Sequence, residues 1–297
     1  MNVVIKVDEE TKQKMIDYYK DKIRDKKIPY AIFQAQEEDT VITLYESGKA
    51  MFQGISADVD ASMWAMLQNK TKEDIKNEED LYHITSIGSD EVGTGDYFGP
   101  VVVCAAYVNL EDIKFLEELK VKDSKQITDD YIRKIAPTIA KKIDYELLVL
   151  SNKEYNEKYK TIKNINKIKA IMHNKVLYTL HQRHSDCNKI IIDEFAKENS
   201  YFNYLKEVTN VERNLIFTPK AENKNMAVAT AAILARFTFL EIMDKLSDKY
   251  HEPLLKGASS EVDKQAERLI EKYGKEVLDD VAKLHFINTE RILKTRI

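Results

Sequence analysis

The run Val101–Val108, VVVCAAYV, contains no charged residue across eight positions. A strand with one wet face alternates apolar and polar side chains, so an unbroken apolar run belongs inside a sheet covered on both faces. Such a sheet needs helices above and below it, and the flanking sequence supplies them. Helical spacing recurs over 111–120, 128–142, 152–160 and 164–184, interleaved with strand-like runs at 144–150 and 189–193. This alternation predicts an α/β sheet flanked by helices. From Ala221 onward the pattern is mostly helical, with a small-residue core helix around MAVATAAILARF and further helices near 260–272 and 275–283.

A different pattern precedes this one. Residues 2–7 read as a strand and 9–26 as a charged amphipathic helix; PYAIFQAQ, DTVITLYES and KAMFQG then form three short strands, closed by a helix over 58–69. Between this small β-α-β-β-β-α unit and the α/β pattern, KTKEDIKNEEDL has almost no apolar content, which predicts a solvated linker. The expected domains are residues 1–70 and 82–297, joined by a charged linker over 71–81. A chain of 297 residues with 43% hydrophobic content can bury one large core and a smaller one.

Composition narrows the function classes. The two cysteines, Cys104 and Cys187, stand in no CxxC or Cys/His cluster, which argues against a disulfide framework or a zinc site and fits a reducing cytoplasm. The N-terminus turns acidic within eight residues and does not read as a secretory signal. No run reads as membrane-spanning, so no membrane partner is expected. The formal net charge of -4 means that a polyanionic partner must meet a local basic surface.

Chemistry concentrates beside the glycine turn. Asp90 and Glu91 end a strand immediately before Gly93-Thr94-Gly95. Adjacent strand residues point to opposite faces, so both carboxylates serve one site only at a strand end or a twist. Crowded carboxylates are costly without a neutralising cation, and oxygen ligands suit Mg²⁺ or Mn²⁺. Asp193 ends the apolar strand KIIID and is placed to meet Asp90 at one sheet edge, where α/β proteins put their sites. Glu222 follows in Pro219-Lys220-Ala221-Glu222, just ahead of the small-residue helix. Four such carboxylates suffice for two ions about 3.5–4 Å apart, an arrangement suited to phosphodiester cleavage.

The segments GSDEVGTGDYFGP (88–100), KDSKQITD (122–129), IIDEFA (191–196) and PKAENKNMAVATAAILARF (219–237) together resemble bacterial ribonuclease HIII, of the type 2 ribonuclease H family. The resemblance covers nearly the whole chain. It implies a ribonuclease H-like catalytic domain preceded by a small α+β domain similar to TATA-box-binding protein. It implies further an endonuclease that cuts the RNA strand of RNA/DNA hybrids, with Asp90, Glu91, Asp193 and Glu222 as metal-binding catalytic residues. Attack by water rather than by the 2′-hydroxyl leaves 5′-phosphate and 3′-hydroxyl ends. The sister ribonuclease HII family usually carries Asp at the last carboxylate and Gly-Arg-Gly in the loop; Glu222 and Gly93-Thr94-Gly95 favour type III. By resemblance the backbone of Gly93, Thr94 and Gly95 contacts ribose 2′-hydroxyls, the group that separates RNA from DNA. A tight turn needing positive φ explains the glycines equally well.

Weaker signals each have an ordinary reading. Lys122, Ser124 and Lys125 suit substrate phosphates or form a plain polar loop, and Lys220 suits a phosphate or a carboxylate partner. The Lys-rich, acid-free stretch 158–175 can follow a nucleic-acid backbone or be a solvated face; His173 within it reads as a satisfied structural histidine. Tyr30, Phe33, Tyr45 and Phe52 either stack on nucleic acid or pack on a helix. A monomer is expected. The rival readings are a ribonuclease HII-like enzyme cutting beside a single embedded ribonucleotide and a non-catalytic nucleic-acid-binding protein.

Overall fold

A computed structural model of the protein describes residues 2–24, 28–37, 40–54, 56–69, 81–121 and 127–294. The chain divides into two compact units, residues 1–79 and 80–297. Residues 71–80 of the expected linker lie outside the described residues.

In the N-terminal unit β1 (Asn2–Lys6) leads to α1 (Glu9–Tyr19), whose first turn is capped by Asp8 accepting from the Thr11 amide at 2.8 Å. The helix stops at Tyr19, short of the expected residue 26. Lys20–Lys22 tighten into a 3₁₀ turn and Ile23 then bridges Ala35, a contact distant in sequence that local periodicity does not reveal. Strands β2 (Ala31–Glu37), β3 (Thr40–Tyr45) and β4 (Lys49–Gly54) pair antiparallel in the order β1-β4-β3-β2, and α2 (Ala57–Asn69) closes the unit. Met15, Tyr19, Phe33, Ile42, Leu44, Phe52 and Trp64 form its core, with the Trp64 indole donating to the Tyr19 hydroxyl at 2.9 Å. Phe33 and Phe52 therefore face inward and cannot stack on a ligand, whereas Tyr30 is 80% exposed and Tyr45 half-buried.

The larger unit is built on a five-stranded sheet, β7-β6-β5-β8-β9, from β5 (Ser86–Val92), β6 (Val101–Val108), β7 (Asp144–Leu150), β8 (Ile190–Asp193) and β9 (Leu215–Thr218). The apolar strand β6 lies inside it, between β5 and β7. Its alternate residues feed two cores on opposite faces: Val102, Cys104 and Ala106 on one, Val101, Val103 and Ala105 on the other. In chain order the helices are α3 (Leu110–Glu118), α4 (Asp129–Lys142), α5 (Asn152–Ile162), α6 (Ile165–Arg183), α7 (Glu198–Tyr204), α8 (Met226–Tyr250), α9 (Ser260–Tyr273), α10 (Val277–Val281) and α11 (Ile287–Lys294). Helices α4 and α8 line the first core, and α6 the second. Against the expectation that no run reaches membrane-spanning length, α8 does so by length and hydropathy. Its most apolar window is 67% buried in the fold, as the core helix of this layer.

Candidate active site

Strand β5 obeys the alternation rule up to its last residues. Ser89 and Glu91 project toward α6, where both meet His173; Gly88 projects the other way, against Val228 of α8. Asp90 lies between them, and at the strand's end both carboxylates still line one cleft. Parallel β8 brings Asp193 alongside. Its last rung with β5 is Ser89↔Ile192, so Asp90 and Asp193 are the next residue on each strand. Glu222 sits in the 3₁₀ turn Ala221–Asn223, tied to β8 because the Ala221 amide donates to Asp193 Oδ1 at 3.1 Å. Asp90, Glu91, Asp193 and Glu222 all line a single cleft of about 480 Å³, together with Val92, Ile127 and Arg236 among others.

The electrostatics separate the two adjacent acids. Burial, reinforced by the charges of Glu91, Glu222 and Asp193, raises the Asp90 carboxyl well above the ordinary carboxylate range. Burial pushes Glu91 the same way, but the hydrogen bond and charge of His173 and the Lys169 ammonium overcome it and hold Glu91 down to about 2. Lys169 Nζ stands 2.5 Å from one Glu91 oxygen and His173 Nε2 2.8 Å from the other. Lys169 and His173 are one turn apart on α6, so a single helix face grips both oxygens. His173 Nδ1 contacts the Ser89 hydroxyl at 2.8 Å, and the Lys169 ammonium lies 4.0 Å from the centre of the Phe195 ring. The histidine is fully buried and satisfied, as expected, but its partner is an acid of the site.

Removing one member of a buried ion pair strands the other, at about 3–5 kcal/mol. With Lys169 and Glu91 still slightly exposed, Lys169→Met is expected to lower the unfolding free energy by about 3 kcal/mol in urea titrations at neutral pH. An unchanged value would mean that the ammonium does not hold Glu91.

Among the described residues no three acid, histidine or cysteine side chains are already gathered around one point. In this structure Glu91 is engaged by Lys169 and His173, and Asp193 by the Ala221 amide. The donor set nonetheless suits a hard divalent cation, because it offers carboxylate oxygens and Asp90 is destabilised as an anion by burial and by its acidic neighbours.

The two turn glycines have different reasons. Gly93 has φ +89°, and a Cβ there would lie 2.1 Å from the Pro100 carbonyl oxygen, so the turn itself demands glycine. Gly95 has no such need: it is exposed, its φ is not positive, and nothing lies within 4 Å of an added Cβ. Thr94 between them is half-buried. Lys220 is exposed and left-handed, with φ +55°, in the turn that presents Glu222. Lys122, Ser124 and Lys125 lie outside the described residues. Within the basic stretch, Lys160 and Lys167 pair with Glu157 and Glu207, so part of its charge is met internally. Arg236 carries no sequence signal that marks it as a site residue. It reaches the cleft nearly three turns into α8, with Nε 3.0 Å from Asp129, which Lys256 also contacts.

Comparisons with known proteins show the family of the chain. The family model for ribonuclease HII matches residues 87–289. The ribonuclease HIII of Lysinibacillus sphaericus is 42% identical over 99% of both chains. The chain belongs to the ribonuclease HIII family. That of Geobacillus kaustophilus is 41% identical over 98% of this chain and 97% of its own. The crystal structure of Bst-RNase HIII in complex with Mn²⁺ superposes with a TM-score of 0.70 at 39% identity, covering 99% of each chain. Residues 2–77 match a second model, described only as a domain of unknown function, so the small unit accompanies the catalytic one in these full-length ribonuclease HIII relatives. Membership makes the chain a ribonuclease H, a hydrolase, and sets aside the non-catalytic reading.

Proposed function

We propose that this family member cuts the RNA strand of RNA/DNA hybrids in the cleft lined by Asp90, Glu91, Asp193 and Glu222, with Mg²⁺ or Mn²⁺ bound there, leaving 5′-phosphate and 3′-hydroxyl ends. The observation that carries this is the convergence of the four carboxylates on one cleft, with Asp90 pushed up by burial and by its acidic neighbours. When bound, divalent ions supply Lewis acidity to a water nucleophile and to the leaving oxygen. The protein's part is to hold the acids: β5 and β8 set Asp90 and Asp193 side by side, α6 fixes Glu91, and the Ala221 amide fixes Asp193. The open space at Gly95 supports a turn whose backbone meets ribose hydroxyls, since no internal packing explains the missing side chain there.

The same reading gives the N-terminal unit, similar to TATA-box-binding protein, a part in holding the hybrid; exposed Tyr30 is its best-placed aromatic. It also takes the chain to act as a cytoplasmic monomer with the domain boundary in 71–81, a setting that suits the free, buried Cys104 and Cys187.

The test is cleavage of a labelled hybrid beside a duplex carrying one embedded ribonucleotide. Expected are scission of the hybrid, its arrest by EDTA, its return on adding Mn²⁺ or Mg²⁺, and little cutting of the single-ribonucleotide duplex. Metal-independent scission, or equal cutting of both duplexes, would overturn the reading.

A further inference from the structure

Lys283 is fully buried, with a relative exposure of 0%. Lysine is almost never found there without partners, and an apolar side chain of equal length would cost far less to bury. Its ammonium donates to two carbonyls of one segment, Asp96 at 2.8 Å and Gly99 at 2.5 Å. That segment is the far side of the glycine turn, whose near side carries Asp90 and Glu91.

The rest of the C-terminal segment reinforces the grip. The Lys283 amide donates to the Tyr97 carbonyl at 2.9 Å, the Gly99 amide to Val281 at 2.9 Å, and Phe98 bridges Ala282. The Tyr97 hydroxyl meets Thr289 at 3.0 Å, and Asn152 adds a second donor to the Gly99 carbonyl at 2.8 Å. Separately, the Gly257 amide donates to Asp96 Oδ1 at 2.6 Å. Burial pushes the Lys283 ammonium down to about 7, opposed by the Asp96 charge. The side chain is thus costly where it stands, and packing alone does not account for it.

We propose that Lys283 is a positioning residue for substrate recognition: held behind the turn by the Asp96 and Gly99 carbonyls, it fixes the face that Gly93-Thr94-Gly95 presents to ribose and so sets the preference for ribose over deoxyribose. This rests on the reading that the turn meets 2′-hydroxyls. Lys283 touches no substrate; it acts through the backbone between Asp96 and Gly99.

The test uses the full-length chain with Lys283→Met. Two hybrids are compared, one with intact RNA and one lacking a single 2′-hydroxyl beside the scissile bond, together with hydrogen exchange of the amides from 93 to 99. Wild type is expected to lose about tenfold in kcat/KM on losing the hydroxyl, the scale of one lost hydrogen bond to a buried partner. Lys283→Met is expected to lose about tenfold on the intact hybrid, much less on the hydroxyl-free one, and to exchange the turn amides faster. Equal losses on both hybrids, or unchanged exchange, overturn the role of Lys283. If Lys283→Met does not fold, Lys283→Gln, which keeps donors at shorter reach, is put through the same measurements. A wild type indifferent to the hydroxyl, together with a fully active Gly95→Ala, overturns the ribose-reading turn itself and the proposal with it.

Discussion

Asp193→Asn is expected to reduce hybrid cleavage by about a thousandfold or more while leaving the protein folded and able to bind substrate. The substitution is a clean one. Asn keeps the size of the side chain, and its amide oxygen can still accept from the Ala221 amide, now at 3.1 Å, so the link between β8 and the Glu222 turn survives. Ile190, Ile191 and Ile192, which anchor β8, are untouched. What disappears is one negative charge from a cluster in which four carboxylates raise the local cost of ionisation. Stability should therefore hold or rise slightly, and hybrid affinity should hold or rise, because a polyanion now meets one charge fewer. Single-turnover cleavage of a labelled hybrid, thermal melting and equilibrium binding check the three parts. Near-normal turnover would remove Asp193 from the catalytic set, and loss of folding would make it a structural residue.

The parts of this site that a sequence makes legible are those whose local pattern carries the reason. An unbroken apolar run placed β6 inside the sheet, and acids at the ends of two apolar strands placed Asp90 and Asp193 at one edge. Short elements carry too little pattern to be legible. Strand β9 and helix α7 span four and seven residues, too few for a period to stand out, and β9 exists because β8 offers it a parallel edge. Lys169 and His173 have the right helical spacing, yet read as part of a basic stretch, because Glu91 lies 82 residues from His173 in sequence. The helical spacing over 275–283 includes Lys283. In the structure α10 ends at Val281, and the residues beyond it form backbone bonds to the glycine turn that no side-chain pattern records.

Gly88→Ala is expected to cost about 3 kcal/mol of stability, the upper part of the range for forcing atoms into a packed core. For a unit of this size that is roughly a 6–12 °C lower melting temperature. A glycine in a strand marks a close approach, and here the approach is between two backbones. A Cβ on Gly88 would lie 2.4 Å from the Val228 nitrogen, 2.6 Å from Val228 Cγ2 and 2.9 Å from the Ala227 carbonyl carbon. The first turn of α8 cannot yield by a rotamer change alone, so it must move off β5. That turn begins four residues after Glu222, and Gly88 is two residues before Asp90, so the shift spreads between two acids of the cleft. Activity should fall with stability, including at temperatures where the variant remains folded. Gly95→Ala is the matched control, since open space at that position predicts unchanged melting. Equal melting temperatures for wild type and Gly88→Ala would show that α8 does not need the close contact, and that the carboxylates are brought together by the sheet alone.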